Sequence, residues 1–173
     1  RAAEGGQRAT AICKAILGLA CDQQATPVTV RVAELVQETI LAVGRDLHRD
    51  GIDVVLDIPA GLSLRTRKVE LQQVLLNLLL NARSAVLAKS GTRRIEISAR
   101  SARGQVTFTV RDSGVGIPPE NLPRIFEPFF TTKADDGDGG GGGGHGLGLS
   151  ICADILKSLD GRINVQSVPN QGA

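Results

Sequence analysis

The sequence predicts a two-layer α/β sandwich of the α+β kind: a mixed, mainly antiparallel sheet with helices on one face. Three observations carry this. Apolar residues alternate with period 2 in Ile52–Ile58, Arg94–Ser98 and Val106–Val110, as strands require. Broad apolar stripes at helical spacing lie between and after them. The strands at 94 and 106 are joined by the short turn Ala102-Arg103-Gly104, which makes an antiparallel hairpin and not a doubly wound unit.

The elements follow in order. Residues 8–21 place Ile12, Ala15, Ile16, Leu19 and Ala20 on one face of a helix, and Gln23–Pro27 breaks it. Val28–Arg31 is short and extended. Val32, Leu35, Val36, Ile40, Val43 and Leu47 form the stripe of a second helix, which Asp50-Gly51 ends. Ile52, Val54, Leu56 and Ile58 read as a strand, and Pro59-Ala60-Gly61 turns. A long helix from about Thr66 to Ala88 has a wide apolar face that includes Val69, Leu71, Val74, Leu75, Leu78, Leu79, Val86 and Leu87. The hairpin comes next, then a glycine-rich loop and a helix over Leu147–Leu159. Ile163, Val165 and Ser167 predict a last strand.

The chain has 173 residues and 42% hydrophobic content, enough for one core, which must be aliphatic because Trp, Tyr and Met are absent. A net charge of +2 argues against bulk attraction to nucleic acid or a membrane surface. No apolar run reaches the roughly 18 residues of a membrane span, and a cytoplasmic location is expected, with a membrane-bound parent compatible. Cys13, Cys21 and Cys152 form no close pair and read as reduced thiols. His48 and His145 are too far apart to suggest a metal cluster.

Asn77 and Asn81 are four apart, so they share one face of the long helix. Buried carboxamides among leucines need partners. An interhelical asparagine pair and a polar stripe facing a ligand suit them equally, and a carboxamide oxygen suits Mg²⁺. Asp112-Ser113-Gly114-Val115-Gly116-Ile117 directly follows a strand. An Asp there can accept from an exocyclic amino group, or simply cap a tight turn. Gly144-His145-Gly146-Leu147-Gly148-Leu149 leads into a helix whose free N–H groups suit phosphate. No Gly-Lys-Ser/Thr follows, so it is not a P-loop, and it opens no βαβ unit.

In this order the pieces resemble the GHKL ATPase superfamily, most closely the catalytic domain of sensor histidine kinases. The resemblance runs from about Pro27 to the end. It rests on an N box at Glu70–Ala82, a G1 box at Asp112–Ile117, an F box at Ile125–Lys133 and a G2 box at Gly144–Ser150. It implies ATP as substrate and Mg²⁺ as cofactor. Asn77 and Asn81 would be the catalytic pair, with Asn81 the metal ligand and Asn77 on the phosphate side. Asp112 would accept from the adenine amino group, in a pocket shaped by Gly114, Gly116 and Ile117. Gly144, His145, Gly146, Leu147, Gly148 and Leu149 would line the phosphates. Phe126, Phe129 and Phe130 would anchor a lid at about residues 131–145, with Phe130 and Lys133 near the nucleotide. The glycine run 139–144 makes that lid mobile.

The hydrolytic members, such as DNA gyrase and the related chaperones, carry a general-base Glu where this chain has Asn77. Asn cannot take a proton from water, so the resemblance implies transfer to a protein. A serine kinase, an ATPase and a nucleotide switch without chemistry are the alternatives. His145 stands where Thr is common. Residues 1–24 resemble only the second helix of a dimerisation and phosphoacceptor hairpin, with 25–173 as the ATP-binding domain. The acceptor histidine is not among them, so autophosphorylation by this chain alone is not expected. One further strand is expected beyond Ala173. The implied partners are ATP and ADP, the hairpin of the parent chain and the receiver domain of a response regulator.

Overall fold

The computed structural model describes residues 26–132 and 146–173. The predicted helix at 8–21, with Cys13 and Cys21, lies outside them, as do Lys133, Gly144, His145 and most of the predicted lid.

The chain opens with β1 (Val28–Arg31) and passes directly into α1 (Val32–Arg49). Gly51, at φ +64°, takes the turn after α1, where the Ile52 N–H returns to the Leu47 carbonyl at 3.0 Å. β2 (Asp53–Asp57) and β3 (Ser63–Thr66) follow, then α2 (Lys68–Leu87). β4 (Arg94–Ala102) and β5 (Gln105–Asp112) form the predicted hairpin. Its turn residues Arg103 and Gly104 both have positive φ, 52° and 76°, as a two-residue type I′ turn demands. A 3₁₀ turn spans Leu122–Arg124, and α3 (Gly148–Ser158) comes last.

The main sheet has the order β2-β4-β5, with β2 parallel and β5 antiparallel to β4. The helices lie on one face, where Ile95, Ile97 and Ala99 of β4 meet Leu71, Leu75, Leu79 and Val86 of α2 and the stripe of α1. Burying a side chain of that size stabilises by roughly 1.5–3 kcal/mol. α2 is central: it packs on α1, on α3 and on the sheet, which is why its apolar residues run nearly all round it. Arg83 ties it to the end of α1, with Nε and Nη2 at 2.6 and 2.5 Å from Asp50 Oδ2. The opposite face of the sheet carries charge, including Arg94, Glu96, Arg111 and Asp57 around a depression of about 350 Å³. None of the predicted site residues lines that depression.

Two features differ from the sequence reading. β3 was not expected. It pairs antiparallel with β1 in a separate two-stranded sheet, and a four-residue strand with one apolar side chain, Leu64, gives too little alternation to detect. Conversely, Ile163–Ser167 is not a strand. Its side chains alternate between half-buried and exposed, yet no backbone ladder joins it to β5; only Val168 and Gly172 form an isolated bridge. Alternation reports which way side chains face, not whether the backbone has found a partner.

Candidate functional site

One stripe of α2 gathers the motifs. Asn77, Asn81 and Ala85 follow one another at i, i+4 spacing; the two asparagines approach Gly148 and Ala85 meets Gly114. Asn77 Nδ2 donates to the Gly148 carbonyl at 3.3 Å, while its Oδ1 accepts from Gln73 Nε2 at 3.2 Å. Both ends of this carboxamide are therefore engaged in joining α2 to the start of α3. Asn81 is different. Half-buried, it has no hydrogen-bond partner among the described residues, and its Nδ2 lies 3.8 Å from where a Cβ on Gly148 would stand. Ala85 receives the Val115 N–H at 3.2 Å, and a Cβ on Gly114 would meet the Ala85 carbonyl carbon at 2.4 Å. Gly114 thus lets the loop after β5 rest directly on the α2 backbone.

The start of α3 is open to an anion. Leu147 offers no side-chain cap, and the N–H groups of Gly148, Leu149 and Ser150 have no partner among the described residues. The Ser150 hydroxyl donates to the Leu147 carbonyl at 2.9 Å. Gly146, at φ +65°, packs on the F box: a Cβ there would stand 2.4 Å from the Phe129 carbonyl carbon. Beneath, Cys152 is fully buried with its Sγ 3.8 Å from the Val74 carbonyl, and burial pushes its thiol up to about 11 against a smaller lowering by Asn77. The far end of α3 is tied to the start of α2. Arg67 Nη2 donates to Ser158 Oγ at 2.6 Å and to its carbonyl at 2.9 Å, and Arg67 Nε is 2.8 Å from Glu70 Oε1.

Asp112 ends β5, and its Oδ1 accepts the Gly114 N–H at 2.8 Å. Burial raises its carboxyl pKa; the N–H groups of Gly114 and Ala173 and the Lys89 charge oppose that rise. A segment unflagged by sequence, Ser167–Ala173, clasps this loop. Ser167 Oγ accepts the Ile117 N–H at 2.8 Å, the Asn170 N–H reaches the Val115 carbonyl at 2.7 Å, and the Asp112 N–H reaches the Ala173 carbonyl at 2.9 Å. Gly116 and Gly172 are required by this clasp, since a Cβ would stand 2.3 Å from the Val168 oxygen or 1.8 Å from the Asp112 oxygen.

The structure therefore brings Asn77, Asn81, Gly146, Leu147, Gly148 and Leu149 together at one end of the stripe, and Asp112, Gly114, Gly116 and Ile117 at the other. The F box aromatics differ in burial. Ile125 is the buried residue of the box, Phe126 and Phe130 are half-buried, and Phe129 is 74% exposed. The Phe129 backbone takes φ +65°, uncommon for a residue with a Cβ. Phe130 lies under the Arg124 guanidinium, 4.4 Å from its centroid. Among the described residues, no three His, Cys, Asp or Glu side chains cluster as metal ligands. A free carboxamide oxygen beside an anion site fits Mg²⁺, which takes few protein ligands and completes its shell with water and phosphate oxygens.

A family of histidine kinase-, DNA gyrase B- and HSP90-like ATPases matches residues 66–173. The sensor histidine kinase ZraS of Salmonella typhimurium is 33% identical over 99% of this chain, which spans 35% of that protein's length. The chain spans still smaller shares of other curated relatives that it matches. Among solved structures, the nucleotide-free catalytic domain of the histidine kinase ThkA is 30% identical with a TM-score of 0.64, covering 77% of this chain and 81% of that one. ThkA in complex with the response regulator protein TrrA is 27% identical, with a TM-score of 0.69, covering 92% and 43%. The chain belongs to the histidine kinase-, DNA gyrase B- and HSP90-like ATPase family, and within it to the catalytic domains of sensor histidine kinases.

Proposed function

We propose that the chain binds Mg-ATP along the Asn77–Ala85 stripe of α2 and delivers its γ-phosphoryl group to a histidine on a phosphoacceptor hairpin. The observation that carries this reading is the unpartnered Asn81 carboxamide facing the uncapped start of α3. The N–H groups of Gly148, Leu149 and Ser150 would hold phosphate oxygens, and Gly148 leaves room for them. Asn81 would hold Mg²⁺, which neutralises charge on the phosphates. Asp112 would accept from the adenine amino group, with the Gly114 N–H fixing its other contact. Asn77 orients α3 through its bond to Gly148 and has no basic atom to activate water, which favours transfer over hydrolysis.

Onward transfer to the receiver domain of a response regulator is the next proposed step, supported by the likeness to ThkA in its complex with TrrA. Residues 1–24 would belong to the hairpin, with the domain proper at 25–173. No helix among the described residues is long and apolar enough to cross a membrane; a cytoplasmic setting is part of the proposal. The test mixes the chain with γ-labelled ATP and a separately made hairpin carrying the acceptor histidine. Acid-labile label on the hairpin is expected. Acid-stable, alkali-labile label would point to serine, and free phosphate without labelled protein would point to an ATPase.

A further inference from the structure

We propose that Lys89 is a positioning residue for base recognition: it sets the loop carrying Asp112 and so governs discrimination for an exocyclic amino group. The stripe that carries the site does not end with α2. Asn77, Asn81, Ala85 and Lys89 fall at four-residue intervals, and Lys89 stands just past the Ala88 cap. Its half-buried Nζ donates to the Ser113 carbonyl at 3.2 Å and to the Asn170 carbonyl at 2.7 Å. One ammonium thus bridges the residue that follows Asp112 and the segment that clasps the loop from the other side. No other side chain among the described residues hydrogen-bonds to both.

Lys89 makes no hydrogen bond to the carboxylate itself. Lys89 donates to backbone on both sides of the loop, whereas Asp112 uses Oδ1 for the Gly114 N–H. The nearby positive charge also opposes the rise that burial imposes on the carboxyl, favouring its ionised, acceptor-only form. Without Lys89, the Ser113 and Asn170 carbonyls lose a charged donor, and the loop keeps only its bonds through Ser167, Asn170 N–H and the Ala173 carbonyl to the clasping segment. Contacts at the phosphate end, two helical turns back on α2, are untouched.

This inference rests on the reading of Asp112 as the base-recognising group, and the test separates the two. ATP carries the exocyclic amino group; inosine triphosphate replaces it with a carbonyl oxygen and turns the adjacent N1 from acceptor to donor, with the ribose and phosphates alike. Calorimetry with each nucleotide and Mg²⁺ is run on the chain and on Lys89→Met, Lys89→Gln and Lys89→Arg. In the parent chain ATP should bind more tightly than inosine triphosphate. In Lys89→Met and Lys89→Gln that preference should shrink by about tenfold, through weaker ATP binding with inosine triphosphate nearly unchanged, and Lys89→Arg should restore it. Equal weakening of both nucleotides, or an unchanged preference, overturns the role of Lys89. A parent chain with no preference overturns the Asp112 reading and this inference with it. The ratio is read within each variant, so a general loss of stability does not imitate the result.

Discussion

Gly146 and Gly148 sit two residues apart and need to be glycine for different reasons, so alanine at each should do opposite things. At Gly146 the backbone is at φ +65°, which costs a residue with a Cβ about 1–2 kcal/mol. The new Cβ would also stand 2.4 Å from the Phe129 carbonyl carbon and 2.6 Å from the Phe130 oxygen, neither of which is a flexible side chain. Relieving such overpacking costs roughly 1–3 kcal/mol more. Gly146→Ala should therefore lose about 2–5 kcal/mol, which for a domain of this size lowers Tm by roughly 5–15 °C. At Gly148 the residue is helical and a Cβ would meet only Asn81 Nδ2, at 3.8 Å. Gly148→Ala should leave Tm unchanged or raise it, since alanine is favoured in a helix by about 0.5–1 kcal/mol. Its methyl would nevertheless fill the space proposed for phosphate and weaken ATP binding by more than about tenfold. Scanning calorimetry reads the first effect and titration calorimetry the second. A Gly146→Ala protein that melts with the parent would refute the steric argument. Gly148→Ala with parental ATP affinity would refute the cradle.

Asn81→Ala should abolish the gain in nucleotide affinity on adding Mg²⁺ while changing affinity in a chelator little; titrations with and without the metal decide it. Because burial raises the Asp112 carboxyl, the native state holds that proton more tightly than the unfolded chain does, so ionising it opposes folding at neutral pH. Asp112→Asn should match or exceed the parent in urea at pH 7, with the difference closing as pH falls through the raised value, while losing ATP affinity. A variant weaker in urea at pH 7 would show that the carboxylate's partners outweigh its burial. In a Cys13→Ser, Cys21→Ser background, Cys152, raised to about 11 and fully buried, should resist a disulfide-exchange reagent at pH 8 until the protein unfolds. Rapid labelling of the native protein would contradict its burial. Arg67→Met removes the guanidinium that contacts Ser158 and Glu70, leaving only their direct hydrogen bond at 3.2 Å, and should lower urea stability by about 1–2 kcal/mol; an unchanged midpoint would show the Arg67 contacts to be inert.

The parts of this fold legible in sequence are those where periodicity is long. α1 and α2 show their apolar stripes over many turns, and Arg103-Gly104 marks the hairpin turn. The parallel pairing of β2 with β4 left no local mark, because it joins Asp53 to Arg94 across the whole N-box helix. The motifs marked both ends of the candidate site, since glycines and asparagines stand out against an aliphatic background. They did not locate the clasp. Lys89, Ser167 and Asn170 act through backbone carbonyls and amides far away in the chain, and such contacts impose no spacing that a reader of the sequence could count. In the sequence reading Gly114 and Gly116 shape an adenine pocket, and Gly172 has no role. At Gly114, Gly116 and Gly172 they make room for the protein's own backbone.

The parallel pairing also bears on how the molecule comes into being. Strands β2 and β4 can zip together only after the intervening chain, α2 included, has been closed into a loop, and contacts of such sequence separation form slowly. Asn77 and Asn81 face α3, which is more distant still along the chain. The proposed nucleotide site is thus expected late in folding, absent from any partly formed state built of local elements. A ligand that recognises it has nothing to bind before the folding barrier is crossed. ATP should therefore leave the refolding rate nearly untouched and act by slowing the rate at which the finished domain comes apart.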